Sequence, residues 1–316
     1  MAISNEALCI GYGAGHTARV QATDGNVARL EHILHRRGHD HRHRVDPRPF
    51  DLHRLDDEFD ELSIRFEPDQ GALWCLFNHT ERPCFTPRFL HQILTLQSRL
   101  KHGLAGAAAL GDDMPLRTMV WGSSFPGIWN LGGDLELFTR LIRARAADEL
   151  RSYAYACVDA VYKNLTIAER DSRMGLPEVL FNLFPGMGAY SLLCRRLDGV
   201  RAQQLILSGR VYEAQELEEL GLVDLVVGKG EGPAAVREYL ERNRRRHGTL
   251  LALSRVRQRC QPVTYEDLID VTEIWVETAL GLGEADLRRM EHLVRAQLRR
   301  HARSQPARLP PLVAVG

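Results

Sequence analysis

Between Leu62 and Tyr162 the spacing of the apolar residues changes repeatedly, and that alternation most constrains the fold. LSIRFE (62–67) alternates apolar and polar residues as a half-buried strand does, and DQG (69–71) supplies a turn. ALWCLFN (72–78) is a more continuous apolar run, suited to a more buried strand, so the pair predicts a hairpin. From Thr86 the spacing lengthens, and Phe89, Ile93, Leu96 and Leu100 fall on one helical face. PLRTMVWGSS (115–124) is again a strand. A glycine-rich turn follows, then one helical stretch over 135–162. Hairpin, helix, strand, helix predicts a mixed α/β layer protein.

The second half is more helical. VRAQQLILSG (200–209) and AQELEELG (214–221) read as helices stopped by Gly209 and Gly221, and LVDLVV (222–227) as a short apolar strand. From Ala234 the pattern is helical almost throughout. In the last helix Leu287, Met290, Val294 and Leu298 form a stripe, with Arg288, Arg289, Arg295 and Arg299 off it. Stripes on several consecutive helices over 265–300 predict an oligomer interface. Residues 1–56 differ in texture, being rich in Arg and His. His32, His35, His39, His41 and His43 could ligate a metal, but no cysteine or carboxylate set accompanies them, and a flexible, solvated leader is expected. The chain divides into this leader, a core over 57–248, a helical region over 249–305 and a tail over 306–316.

Lys plus Arg equals Asp plus Glu, at 41 each, so no global field recruits nucleic acid or acidic lipid. The six cysteines (Cys9, Cys75, Cys84, Cys157, Cys194 and Cys260) include no CxxC pair, which argues against a disulfide framework or a zinc site. A cytoplasmic location is expected. The first residues lack a signal-peptide pattern. Val179–Cys194, the longest uncharged stretch near the middle, is too short to span a bilayer and holds Pro185, Gly186 and Gly188. A soluble protein without metal or cofactor is the expectation.

Two segments carry chemistry. In VWGSSFPGIWNLGGDL (120–135) a strand ends, the chain turns, and Gly132 and Gly133 stand just before a helix. Backbone N–H groups at such a turn can hold a developing oxyanion. Asp134 could be catalytic, but a helix N-cap is the expectation. By itself the turn is a weak signal. In RMGLPEVLFNLFPGMGAY (173–190), Glu178 stands among Leu176, Val179, Leu180 and Phe181. An acid there would be poorly solvated and suited to general acid–base work. Composition alone reads it as a surface glutamate after Pro177.

MGLPEVLFNLFPGMGAYS, with NLGGDL upstream and LVDLVV and TEIWVETAL downstream, closely resembles the crotonase-like bacterial enzymes that make diffusible signal factor, a cis-2-unsaturated fatty acid used in quorum sensing. The likeness runs from about Phe59 to Gln297 with one interruption. It implies a ββα spiral core with a C-terminal helical trimerisation region. It also implies dehydration of a 3-hydroxyacyl carrier protein followed by thioester hydrolysis, with two glutamates and two backbone N–H donors. Glu178 matches the second glutamate, and Gly133, with Gly132 beside it, the first oxyanion donor. Met187 and Trp275 match residues around a buried acyl tunnel, although ordinary core packing explains them as well. Substrate partners would be a carrier-protein or CoA thioester, and a membrane sensor kinase is a further partner by resemblance. The alternatives are an enoyl-CoA hydratase or isomerase, and a non-catalytic acyl-binding protein.

The chain departs from that pattern once. The resemblance implies a strand, a GGGFE-type turn and a helix before TIAERDSRMGLPE, supplying the first glutamate and the second oxyanion donor. Here VDAVYKNL (158–165) runs straight into TIAER (166–170), and no GGG occurs. The absent piece is about 30 residues, the size of a βα unit. Asp159 and Glu169 lie near the junction but in no glycine-rich turn, so neither is a candidate replacement.

Overall fold

The computed structural model describes residues 2–4, 7–12, 51–80, 82–109, 116–125, 128–160, 165–169 and 172–303. The predicted hairpin forms from β3 (Leu62–Glu67) and β4 (Ala72–Phe77), paired antiparallel with Leu62 opposite Phe77. Alternate side chains of β3 are buried, as the period of two requires, whereas β4 is buried on both faces. Helix α1 (Pro87–Ala109) buries the predicted stripe of Phe89, Ile93, Leu96 and Leu100 against the sheet.

The described strands make two sheets. The larger runs β10 (Leu225–Val227), β7 (Leu165–Glu169), β2 (Ala7–Tyr12), β5 (Thr118–Ser123), β4, β3. The smaller runs β6 (Ile128–Asn130), β1 (Ala2–Ser4), β8 (Arg173–Gly175), β9 (Val211–Glu213). Two stretches of the supposed leader are therefore sheet strands, a correction to its reading as a wholly solvated extension. The five histidines from His32 to His43, and residues 306–316, lie outside the described residues.

The helical stretch after the glycine turn is two helices, α2 (Leu135–Arg143) and α3 (Ala147–Ala160), where the periodicity suggested one. The break is a Schellman-type stop. Arg145 takes φ 54°, its N–H donates to the Ile142 carbonyl, and the Ala146 N–H reaches back to Leu141. A left-handed arginine is unusual. Its guanidinium donates to the Leu280 carbonyl at 2.5 Å, at the end of α9 (Tyr265–Leu280), a tertiary contact invisible to local pattern.

Helices α4 (Ala189–Cys194), α5 (Gly199–Ser208), α6 (Ala214–Glu219), α7 (Gly232–Asn243), α8 (His247–Cys260), α9 and α10 (Glu284–Arg303) complete the described chain. Gly209 and Gly221 end α5 and α6 with positive φ, as read from sequence. One core lies between α1 and the sheets. A second gathers α2, α3, α9 and α10 around Phe138, Leu150, Trp275 and Met290. This is a mixed α/β core with a C-terminal helical region, as the sequence pattern predicts. No described helix is long and apolar enough to cross a membrane.

Candidate functional site

The glycine turn is held from four sides. Asn130, wholly buried, accepts the Gly132 N–H through Oδ1 at 2.7 Å, an Asx turn. Gly132 has φ 87°, which a side chain would strain, and its carbonyl accepts the Phe85 N–H. Asp134 caps α2, as expected. Its carboxylate accepts the Leu137 N–H at 3.1 Å and pairs with Arg82 at 2.8 Å. The Asp134 N–H donates to the Tyr153 hydroxyl, which donates in turn to the Phe85 carbonyl. Between these anchored residues the Gly133 N–H makes no hydrogen bond among the described residues. A Cβ at Gly133 would stand 2.8 Å from Phe138 Cζ, so glycine is also what the packing permits.

Glu178 belongs to a 3-10 helix, Pro177–Phe181, that follows β8. Pro177 presets its first turn and Asn182, with φ 61°, ends it. Phe181 and Leu183 anchor the segment in the second core. The Glu178 side chain is half-buried, and its Oε2 is buried with no hydrogen-bond partner among the described residues. An unpaired buried carboxylate oxygen is costly, and such atoms call for a reason. Beside this helix a hollow of about 350 Å³ is lined by Leu180, Phe181, Arg288, Arg289, His292 and Leu293.

The small sheet sets the two turns side by side. Strands β6 and β8 both run antiparallel to β1 and are therefore co-directional, and Asn130 and Met174 both lie opposite Ile3. Two strand spacings separate them, about 10 Å. Gly133 and Glu178 follow at the same end of that sheet. Met187 takes φ 54° and is half-buried between two core clusters. Trp275 is packed against Gly186 and against the Phe138 ring, 5.1 Å away. Through Phe138 the core thus joins Gly133 to Trp275, and Met187 lies at its edge. The structure gives Glu178 no direct bond to any of them.

Sequence reasoning missed the support behind the turn. His79 lies 51 residues from Asn130 in the chain, yet its Nε2 is 3.5 Å from Asn130 Nδ2. Burial among Phe77, Phe89 and Phe125 pushes its pKa down to about 4, leaving a neutral ring able to accept that N–H. Asn two residues before the turn glycine was a signal for the Asx turn. Nothing local pointed to His79 or Tyr153. No group of three His, Cys, Asp or Glu converges as a metal site among the described residues.

Residues 155–247 match the family model described as enoyl-CoA hydratase/isomerase. The mitochondrial methylglutaconyl-CoA hydratase of Rattus norvegicus is 31% identical over 157 residues, which cover 42% of this chain and 50% of that one. The chain thus spans about half the length of the curated relative it matches. Human mitochondrial delta3-delta2-enoyl-CoA isomerase shares the fold at TM-score 0.54, with 12% identity over 76% of this chain and 99% of that chain. DspI of Pseudomonas aeruginosa is similar at TM-score 0.48 and 20% identity, over 65% of this chain and 90% of that one, a likeness too weak to argue from. The family match lies on β7, β8 and the Glu178 segment, and the fold is the one seen in the enoyl-CoA isomerase.

Proposed function

We propose that this chain acts on acyl thioesters, with Glu178 as its proton-transfer residue and the Gly133 N–H as an oxyanion donor. The observation that carries the reading is the buried Oε2 of Glu178, unpartnered among the described residues. Its counterpart is a backbone N–H of the anchored glycine turn that no acceptor among the described residues uses. A thioester carbonyl polarised at Gly133 would acidify its α-proton, and Glu178 could take that proton. The hollow beside the 3-10 helix is apolar enough to receive part of an acyl chain.

The specific reaction we propose is the signal-synthase type. A 3-hydroxyacyl carrier protein loses water to a cis-2-enoyl thioester. Water then attacks the thioester carbonyl, and the carrier thiol leaves with a proton. Both steps ask for two proton-handling groups, and the sequence supplies a recognisable candidate for one. Turnover is accordingly expected to be weak. The absent GGGFE-type turn also favours a second reading, acyl binding without turnover. Release of free fatty acid from 3-hydroxyacyl carrier protein supports the synthase, hydration of crotonyl-CoA supports a hydratase, and binding of either with neither product supports the second reading. No binding of either thioester would reject acyl-thioester function altogether.

A further inference from the structure

The large sheet contains an inner strand running the wrong way. Strand β4 pairs parallel with β5, and β7 parallel with β10. Strand β2 is antiparallel to both β5 and β7, so β4, β5, β7 and β10 all share one direction. Among the described strands of this sheet, β2 and the hairpin edge β3 oppose them. The chain leaves β5, passes through β6, α2 and α3, and returns at β7 one strand position beyond its neighbour. That crossover leaves a slot one strand wide in the middle of the sheet. Consecutive parallel strands usually pair directly, and the rows of N–H and C=O groups on β5 and β7 would otherwise face a gap.

The segment 7–12 fills the slot. Cys9 and Ile10 each pair on both sides, with Trp121 and Val120 of β5 and with Thr166 and Leu165 of β7. Its sequence, ALCIGY, carries no charge, as suits a strand in the middle of a sheet, unlike the Arg- and His-rich residues after it. The same stretch of chain repeats the act in the small sheet. Just before β2, strand β1 lies antiparallel between β6 and β8, the strands that lead to Gly133 and to Glu178.

We propose that β1 and β2 are substitute strands, each running backwards through one slot in its sheet, and that they hold together both the two halves of the fold and the two halves of the candidate site. The occupant is this chain's own segment. Its seat is a general acceptor for extended, uncharged backbone, in the manner of strand addition to a sheet. The inference rests on strand direction and register and stands whether or not the chain turns over a thioester.

The register supplies the test. Cys9 lies directly opposite Thr166, a separation of about 4.5–5.5 Å between Cα atoms, within disulfide range. Thr166→Cys in the full chain should form a disulfide from Cys9 to the new thiol on mild oxidation, found by peptide mass mapping. Leu165→Cys, one residue out of register and on the opposite face, should link to Cys9 at least about tenfold less. Mixing isotope-labelled and unlabelled protein before oxidation should show the link within one chain. In parallel, Ile10→Pro removes a mid-strand donor and should speed amide exchange in Thr118–Ser123 and Leu165–Glu169 by about tenfold or more. Equal linkage in the Leu165→Cys and Thr166→Cys variants, linkage between chains, or unchanged exchange in Ile10→Pro would each overturn the proposal.

Discussion

The two turns that leave the small sheet are built on opposite principles. The Gly132–Asp134 turn is anchored by Asn130, Tyr153, Arg82 and the cap of α2, so nearly every polar group in it has a partner. The Glu178 turn is fixed by backbone and core, through Pro177, the left-handed Asn182 and the buried Phe181, while its carboxylate oxygen is left unpaired. One turn uses side chains to aim a backbone N–H, and the other uses backbone to aim a side chain. The contrast teaches where a substitution should be felt: stability should respond at the first turn, and chemistry at the second.

The sharpest way to break that contrast is Glu178→Gln. It keeps shape and removes the titrating group, so any fatty acid release or enoyl hydration should fall by about 10²–10⁴. The denaturant midpoint should hardly move, because the lost oxygen has no partner among the described residues. Unchanged activity would remove Glu178 from the site.

Asp134→Ala tests the other turn. It deletes a helix cap and leaves Arg82 without its buried partner, with Asp134 itself only 3% exposed. A loss of about 2–3 kcal/mol in unfolding free energy is expected, since Arg82 is partly exposed and keeps Glu136 as a partner. A loss below about 1 kcal/mol would mean that the turn is held without its cap.

His79 adds a pH dependence to the anchored turn alone. Its folded pKa of about 4 lies below the unfolded value near 6.5, so the unfolded chain binds a proton that the folded chain refuses. Stability should therefore be full above about pH 6.5 and fall as pH drops toward 4, by about 3 kcal/mol in all. In His79→Leu that part of the slope should vanish, while unfolding well above that range records the lost contact with Asn130. An unchanged slope would assign the acid sensitivity to other groups.

The smallest effect expected is Tyr153→Phe, which leaves the Asp134 N–H and the Phe85 carbonyl without their shared hydroxyl. A cost of about 1–2 kcal/mol, with fatty acid release nearly unchanged, fits a supporting role. A rate loss as large as that of Glu178→Gln would erase the distinction between the turns.

Elements whose physics is local were legible in the amino-acid sequence. The hairpin over Leu62–Phe77 and the stripe of α1 follow from period two and period 3.6, and the Asp134 cap and the stops at Gly209 and Gly221 from short-range backbone chemistry. Glu178 and Gly133 were weak signals as turns alone and could be named as candidates through the family resemblance of the strings around them. The rest was decided in three dimensions. Arg145, at the break between α2 and α3, bonds the far carbonyl of Leu280, and the His79–Asn130 contact joins residues 51 apart. Strands β1 and β2 pair with β5, β6, β7 and β8, all more than a hundred residues further along the chain. A strand's own residues state that it can be buried. Which edge buries it, and in which direction, is set by the unpaired backbone it meets.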